Sequence, residues 1–276
     1  MPELPEVETV RRQLAAAVVG DTIVGVTVPY PKVLQTQPSA AFAKAMVGAD
    51  MVAARRRAKV LLLDFSNGMT LLVHLKMTGR FLLTDRHPEQ RKETEVVFLL
   101  ASGRVLTFDD VRHFGWIKMR RTHEVARYLE EEGYGPEPLD PLFSADVFRS
   151  RLALHSGKRI KQALLDQTCI AGVGNIYADE SLWESGIAPI RRVHRLRTAD
   201  VVALHGAIRL ILSRAVADGG SSANDYLDIF GRKGNFFPKL QAYGKDGTSC
   251  AKGDGGILRK RVLGGRGTHW CPVHQK

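Results

Sequence analysis

The chain has 276 residues, of which 44% are hydrophobic and 25% are charged. This composition is typical of a folded protein and excludes an intrinsically disordered chain. The length predicts about two domains, each with its own core. Lysine and arginine number 40 against 29 acidic residues, which gives a net charge of +11. This charge favours a polyanionic partner, nucleic acid first, although a solvated basic surface is the plain alternative.

No segment approaches the roughly 18 apolar residues of a membrane span, and the opening MPELPEVETV has neither a basic nor an apolar leader region. We therefore expect no membrane partner and a cytoplasmic location, associated with the nucleoid. The cysteines are Cys169, Cys250 and Cys271. An odd number spread over a long chain argues against a disulfide framework and favours reduced thiols, with metal binding as an option. Cys169 lies in an apolar helical pattern and is interpreted as a buried thiol.

The first half of the chain is predicted to be a β-sandwich that spans residues 1–132. A helix over residues 6–19 comes first. Alternating or apolar runs then predict strands over residues 22–28, 59–65, 69–75, 80–84, 95–100 and 104–108. Ser66-Asn67-Gly68 and Ala101-Ser102-Gly103 are typical hairpin turns between such runs.

The second half changes to a helical period after a stretch rich in Gly and Pro at residues 133–141. Helices are predicted over residues 145–154, 158–167, 176–185 and 198–218. They form a helical domain over residues 133–240. Residues 241–276 contain glycine turns and two cysteines. They predict a small β-hairpin module that needs a stabilising cross-link. The fold class is therefore α+β, with an amino-terminal β-sandwich and flanking helices.

Pro2 follows the initiator methionine, whose removal a small second residue permits. The exposed secondary amine would have a pKa not far from neutrality and could attack an electrophilic carbon to form an iminium ion. Glu3, beside it, could act as a general acid. By itself this pattern also fits an ordinary amino terminus, because proline is common at the second position.

Further motifs follow in a fixed order, and together with the opening they resemble the formamidopyrimidine-DNA glycosylase family along the entire chain. Each motif is moderately specific, and the ordered set is very specific. The motifs are Pro2-Glu3-Leu4-Pro5-Glu6-Val7-Glu8-Thr9-Val10, Arg56-Arg57-Ala58-Lys59, His74-Leu75-Lys76-Met77-Thr78-Gly79, Arg112-His113-Phe114-Gly115, Gly172-Val173-Gly174-Asn175-Ile176-Tyr177-Ala178 and Gly264-Gly265-Arg266-Gly267-Thr268.

The resemblance implies a bifunctional DNA glycosylase and abasic-site lyase of base excision repair. It implies that Pro2 attacks sugar C1′ to release an oxidised purine such as 8-oxoguanine or a formamidopyrimidine, while Glu3 protonates the ring oxygen. Lys59 would serve the β-elimination, and Arg266 would grip the flanking phosphates and assist the δ-elimination. This reaction needs no redox or nucleotide cofactor.

The resemblance also implies a set of DNA contacts in the first half. His74 would contact a phosphate, although a lone histidine at a strand end is more often structural. An enzyme that everts a base leaves a hole in the duplex, and apolar side chains with a guanidinium can fill it. Met77, Arg112 and Phe114 match the family's void-filling residues. From spacing alone, Met77 and Phe114 would be assigned to the core.

The Gly172–Asn175 turn resembles the family's helix–two-turn–helix and places Asn175 at a helix start that favours an anion. Asn175 is therefore predicted to bind DNA phosphate, and Lys161 is a weaker candidate for the same role. Ser221 and Ser222 lie in a glycine-rich stretch that resembles the loop closing over the everted base. A flexible linker is an equal alternative for that stretch.

The end of the chain departs from the family finger, in which four cysteines follow the pattern C-x2-C-x16-C-x2-C. Here the same positions contain Cys250, Asp254, Cys271 and His274, with one inserted residue. Thiolate, carboxylate and imidazole all bind zinc, so one Zn²⁺ per chain is predicted. A finger that has lost its metal and is held by packing is the alternative.

The implied partner is damaged double-stranded DNA, bound by a monomer in a basic cleft between the two main domains. A second departure is a missing family histidine, where the sequence has Glu or Thr at residues 93–95; Arg91 or Lys92 could supply that contact. Two other functions stay open. One is an endonuclease VIII-like glycosylase for oxidised pyrimidines, which Leu4, Arg112 and Phe114 disfavour. The other is a lesion-binding protein without catalysis.

Overall fold

The computed structural model describes residues 1–85, 91–222 and 226–276. The chain forms two compact units. The amino-terminal unit contains Met1–Glu132 and Asp218–Asn235, and the carboxy-terminal unit contains Gly133–Ala217 and Phe236–Lys276. The division into three domains stays a prediction. In the structure, the residues of the predicted hairpin module belong to the same compact unit as the helices.

The amino-terminal unit is a β-sandwich flanked by helices, and the predicted α+β class is confirmed. Its elements are α1 (Leu4–Ala17), β1 (Ile23–Thr27), α2 (Ser39–Met46), β2 (Met51–Arg57), β3 (Val60–Phe65), β4 (Met69–His74), β5 (Gly79–Thr84), β6 (Thr94–Leu100), β7 (Val105–Asp110), β8 (Trp116–Arg121) and α3 (Val125–Glu131). One antiparallel sheet has the strand order β1-β6-β7-β5 and the other β2-β3-β4-β8.

The core of this unit lies between the two sheets. Apolar residues such as Leu61 on β3, Val73 on β4 and Phe108 on β7 are fully buried there, and Val10 of α1 joins the same cluster. Hairpin geometry fixes the pairing, since the turn at Gly68 has a φ of 76°, a conformation that glycine adopts without steric cost. The sandwich thus gives rigid support to the turns and strand ends at its edges.

The carboxy-terminal unit is built around a buried helix. Its elements are α4 (Ala145–Ala153), α5 (Ile160–Leu165), α6 (Asn175–Glu184), α7 (Thr198–Ala217), β9 (Arg259–Leu263) and β10 (Arg266–Trp270). Eight consecutive residues of α6, from 176 to 183, are buried, and the helix packs against α5, α7 and β10. β9 and β10 form the predicted hairpin. In the described parts of the chain, no helix is both long enough and apolar enough to cross a membrane.

Candidate functional site

The residues that follow Met1 are buried and lead directly into α1. Pro2 is buried, and Glu3, only 2% exposed, is the residue that caps the helix. The backbone amide of Glu3 donates to Glu6 Oε2 at 2.8 Å, in the reciprocal arrangement of a capping box. Pro2 and Glu3 are therefore held at a rigid helix start. While Met1 precedes it, the Pro2 nitrogen is a tertiary amide, and removal of Met1 would convert it to a nucleophilic amine.

The loop that contains Ser221 is attached to the same helix start. The Ser221 amide donates to Glu6 Oε1 at 2.7 Å, and a side chain at Gly220 would collide with that carboxylate, its Cβ lying 2.9 Å from Oε1. The Ser222 hydroxyl donates to the Tyr226 carbonyl at 2.8 Å. The structure thus brings the predicted base-recognition loop to the first turn of the helix that follows the predicted nucleophile. Glu6, which makes this link, was not identified from the sequence, where it resembles an ordinary first-turn glutamate.

Lys59 and His74 lie side by side at one edge of the sandwich. Lys59 occupies the tight turn between β2 and β3, after Ala58 with a φ of 52°, and is 6% exposed. The next residue, Val60, pairs with His74 across the sheet. Burial, together with the positive charges of Lys76 and Lys59, lowers the pKa of His74 to about 3.

His74 is consequently neutral at physiological pH. Its Nδ1 accepts a hydrogen bond from the Lys76 amide at 2.9 Å. The single ring proton must then be on Nε2, which fixes the tautomer. This nitrogen is a neutral hydrogen-bond donor beside the predicted lyase lysine.

The three predicted void-filling residues form one exposed group. Arg112 Nη1 lies 3.0 Å from Met77 Sδ, and the guanidinium carbon lies 4.8 Å from the centroid of the Phe114 ring. Met77 is 38% and Phe114 53% exposed. Large apolar side chains so exposed around a cation are available for contact with a ligand rather than for the core. Spacing alone would have assigned Met77 and Phe114 to the core, and the structure excludes that assignment.

The loop that contains Arg112 and Phe114 is held by Asp110, a residue that the sequence reasoning missed. The fully buried Asp110 carboxylate accepts from the amides of Arg112 at 3.0 Å, Phe114 at 2.9 Å and Gly115 at 2.6 Å. Thr78 donates its hydroxyl to the same carboxylate. These hydrogen bonds tie the loop backbone to the end of β7. No local pattern in the sequence reveals this role.

The prediction that Lys161 contacts a phosphate is wrong. Its side chain has no exposed area, and its ammonium forms an ion pair with the equally buried Asp179 at 2.6 Å. The ammonium also donates to the Gly267 carbonyl at 2.9 Å. Asp179 accepts in turn from the His269 amide at 3.0 Å. Lys161 therefore ties α5 and α6 to the β9–β10 hairpin from the inside.

Asn175 and Arg266 meet at the same stretch of backbone. Gly174 is the N-cap residue of α6 and Asn175 the first helical residue, so the helix begins one residue earlier than the sequence predicted. Asn175 Nδ2 donates to the Gly267 carbonyl at 3.0 Å and retains a second hydrogen. Arg266, the residue before Gly267, is exposed at the start of β10. Lys161 and Asn175 thus both bind the Gly267 carbonyl and fix the backbone next to Arg266.

The predicted metal ligands form a compact cluster. One ligand atom from each of Cys250, Asp254, Cys271 and His274 lies within 4.8 Å of all the others. His274 Nδ1 is 2.9 Å from Asp254 Oδ2 and 3.4 Å from Cys250 Sγ. Cys271 Sγ is 3.2 Å from Asp254 Oδ2. Tetrahedral zinc with its usual bond lengths separates neighbouring ligand atoms by roughly 3.3–3.8 Å, so shifts of about 1 Å or less would adapt these four ligand atoms to the ion.

Surrounding contacts orient the cluster. His274 Nε2–H donates a hydrogen bond to the Trp183 carbonyl at 2.9 Å, and this bond directs Nδ1 at the other ligands. Burial opposes ionisation of Asp254, but hydrogen bonds from the Gly256 amide and from Cys271, Cys250 and His274 hold its pKa at about 2. A Cβ at Gly256 would collide with Cys271 Sγ. The backbone at Gly256 therefore lies directly against the cluster.

Cys169 is distant from this chemistry. Its thiol is fully buried, and burial raises its pKa to about 12. The interpretation of Cys169 as an inert buried thiol is confirmed.

This fold and these residues define a DNA glycosylase of the helix–two-turn–helix class. The N-terminal domain of formamidopyrimidine-DNA glycosylase matches residues 1–117, and the H2TH domain of formamidopyrimidine-DNA glycosylase matches residues 134–226. The chain belongs to the formamidopyrimidine-DNA glycosylase family, as the sequence motifs predicted.

Similar proteins match along the whole chain. The formamidopyrimidine-DNA glycosylases of Carboxydothermus hydrogenoformans and Heliobacterium modesticaldum are 40% and 41% identical, with complete coverage of both chains in each case. Among solved structures, the wild-type Lactococcus lactis enzyme bound to DNA containing N7-benzyl-Fapy-dG has a TM-score of 0.93 at 37% identity, with complete coverage of both chains. The same enzyme bound to DNA containing an abasic site has a TM-score of 0.92 at 36% identity over 99% of each chain.

Proposed function

We propose that this chain excises oxidised purines, 8-oxoguanine and formamidopyrimidines, from double-stranded DNA and then cleaves the strand. The observation that carries the proposal is the amino terminus: Pro2 is buried ahead of α1, whose Glu6 also binds the Ser221 amide. One carboxylate thereby binds both the residue that follows the proposed nucleophile and the proposed base-recognition loop. The similar Lactococcus lactis structures, bound to damaged DNA, are consistent with this substrate.

The first chemical steps belong to Pro2 and Glu3. The amine of Pro2 forms a bond to C1′ as the bond from C1′ to the base breaks, and the base leaves with the bonding electrons and a proton. Glu3 protonates the ring oxygen as its bond to C1′ opens, which leaves an iminium ion between Pro2 and the sugar. The iminium acidifies the hydrogen on C2′.

Strand cleavage follows from that iminium. Loss of a C2′ proton expels the 3′ phosphate, and loss of a C4′ proton then expels the 5′ phosphate. Lys59 serves the first elimination from its turn beside His74. Arg266 grips the phosphates flanking the lesion with its guanidinium and assists the second. The expected product is a one-nucleotide gap.

The remaining site residues bind the duplex. Met77, Arg112 and Phe114 occupy the hole left by the everted base, with the Arg112 guanidinium facing the opposite base. Asn175 donates its second Nδ2 hydrogen, and His74 its Nε2 hydrogen, to phosphates. Those neutral donors position the DNA backbone, while the protein's net charge of +11 supplies long-range attraction to DNA.

We infer that the Cys250, Asp254, Cys271 and His274 cluster holds one Zn²⁺. Bound zinc would supply structural cross-linking to the β9–β10 hairpin. The fit of ligand spacing and the orientation of His274 by Trp183 support this inference. Metal analysis of wild type and Cys250→Ser tests it: about one zinc per chain is expected in the wild type only, and no zinc in either would refute it.

We further propose that the protein acts as a cytoplasmic, nucleoid-associated monomer. The substrate is tested with duplexes that contain either 8-oxoguanine or thymine glycol. Faster cleavage of the 8-oxoguanine duplex, with phosphate at both ends of the gap, is expected. Preference for thymine glycol would instead identify an endonuclease VIII-like specificity. Sedimentation of the protein with and without duplex tests the monomer.

A further inference from the structure

The loop between β7 and β8, residues 111–115, has a second anchor besides Asp110. His113 lies between Arg112 and Phe114 and has a φ of 54°. Its Nδ1 is 2.7 Å from Glu95 Oε1, and its ring stacks on Tyr30, with centroids 4.3 Å apart and planes 29° apart. A non-glycine residue with positive φ is strained unless its surroundings hold it. Glu95 and Tyr30 provide that restraint.

Glu95 is an unusual partner for a loop histidine. It lies on β6 with no exposed area, and its Oε2 has no hydrogen-bond partner among the described residues. The titratable groups around it are Asp109 and Asp110 on β7 and His113 on the loop. Asp109 in turn faces Arg80 and Arg91, whose guanidinium nitrogens are 3.9 and 3.7 Å away.

This environment places the titration of Glu95 near neutrality. Burial raises the pKa of Glu95 to about 7, the hydrogen bond to His113 opposes the rise, and the charges of Asp110 and Asp109 add to it. Above that pH, His113 Nδ1–H donates to a carboxylate in a charge-assisted hydrogen bond. Below it, the carboxyl group is neutral and the bond is weaker.

We propose that Glu95 and His113 form a positioning pair that fixes Arg112 and Phe114 for insertion into the duplex, and that acidification loosens this pair. The proposal rests on the proposed function of Arg112 and Phe114 as void-filling residues. Neither Glu95 nor His113 has to touch the reacting atoms. The pair acts through the loop backbone, whose amides Asp110 already binds.

The test uses the full-length protein and a duplex that contains a tetrahydrofuran abasic analogue opposite 2-aminopurine. Binding affinity and 2-aminopurine fluorescence are measured between about pH 6 and about pH 8, on either side of the Glu95 titration. Glu95→Ala and His113→Ala should each weaken binding about 10-fold at the upper pH, and the double variant no further. Additive losses would overturn the pairing.

Glu95→Gln provides the sharper test, because its amide oxygen can accept the same hydrogen bond at every pH. It should bind within about 3-fold of wild type and lack the wild-type loss of affinity on acidification. If Glu95→Gln loses binding affinity on acidification as the wild type does, the proposed pH dependence is overturned. Glu130→Gln and His123→Ala, both outside the loop, are the matched controls. Should Glu95→Ala not fold, His113→Ala and Glu95→Gln still decide the outcome.

The variants Arg112→Ala and Phe114→Ala distinguish a failure of the positioning pair from a failure of the void-filling role. If these two variants leave the 2-aminopurine signal unchanged, the void-filling role itself is refuted. If they change the signal and His113→Ala does not, only the positioning pair is refuted. Thermal unfolding of each variant identifies any loss that comes from global destabilisation.

Discussion

Replacing Lys161 with methionine should destabilise the carboxy-terminal unit severely, because the Lys161 ammonium is buried in an ion pair with Asp179. The methionine keeps much of the side-chain volume but leaves the Asp179 carboxylate buried, with no area exposed. Removing one partner from a buried ion pair costs about 3–5 kcal/mol, because the remaining charge is uncompensated. For a protein of this size, that cost corresponds to a fall in Tm of roughly 6–20 °C.

Two further variants define the origin of this effect. Lys158→Met removes an ion pair of the same length, 2.6 Å to Asp166, but Lys158 is 45% exposed. A surface pair contributes about 1 kcal/mol or less, so Tm should hardly change. The double variant Lys161→Met/Asp179→Asn removes both buried charges and should recover much of the stability that Lys161→Met alone removes.

The assay combines thermal unfolding, followed by circular dichroism, with the salt dependence of duplex binding. If Lys161 bound a DNA phosphate, its replacement would lower the slope of log K against log salt by about 1 and leave stability unchanged. The buried ion pair predicts the reverse: a large fall in Tm and an unchanged slope for the folded protein. A stable Lys161→Met variant with a reduced slope would refute the assignment of Lys161 to the interior.

Two other predictions concern the metal cluster and His74. Gly256→Ala should reduce bound zinc from about one per chain to almost none, since its Cβ would collide with Cys271 Sγ. Gly206→Ala, with open space around it, should keep the metal, and equal zinc in both variants would contradict the argument. His74→Ala should weaken duplex binding several-fold without changing the salt slope, because a pKa of about 3 makes His74 a neutral donor. A smaller slope in His74→Ala would indicate that a cation had been removed.

The sequence predicted the elements whose residues follow a local period. Alternation and turn glycines identified β3, β4, β6 and β7, and α1 needed only a shift of two residues. β2 was missed, because its second half is a run of arginines that resembles a solvated surface. In the structure Arg55 pairs with Asp64 at 2.5 Å, and Arg56 pairs with Glu8 at 3.2 Å. Partners so distant in the chain cannot be identified from a local pattern.

The site shows the same division. The grouping of Met77 with Arg112 and the clustering of the four metal ligands could be predicted, because these residues match positions of the family's motifs. The burial of Lys161 could not, since its partner Asp179 is 18 residues away on another helix. Asp110 was equally hidden, because its function depends on backbone amides, which have no sequence signature. Polar contacts between residues distant in the chain therefore need the structure, whereas residues that match a family motif can be found in the sequence.

The central claim is that Pro2 is the nucleophile, and borohydride trapping tests it most directly. Incubation of the mature protein with an abasic duplex and borohydride should reduce the iminium to a stable amine and yield one covalent adduct, with the mass increase located on Pro2. Pro2→Gly, which keeps an amino-terminal amine, should still be trapped, whereas retention of Met1 should abolish the adduct. Intact duplex binding with no trapped species would contradict the account and leave a protein that recognises lesions without catalysis.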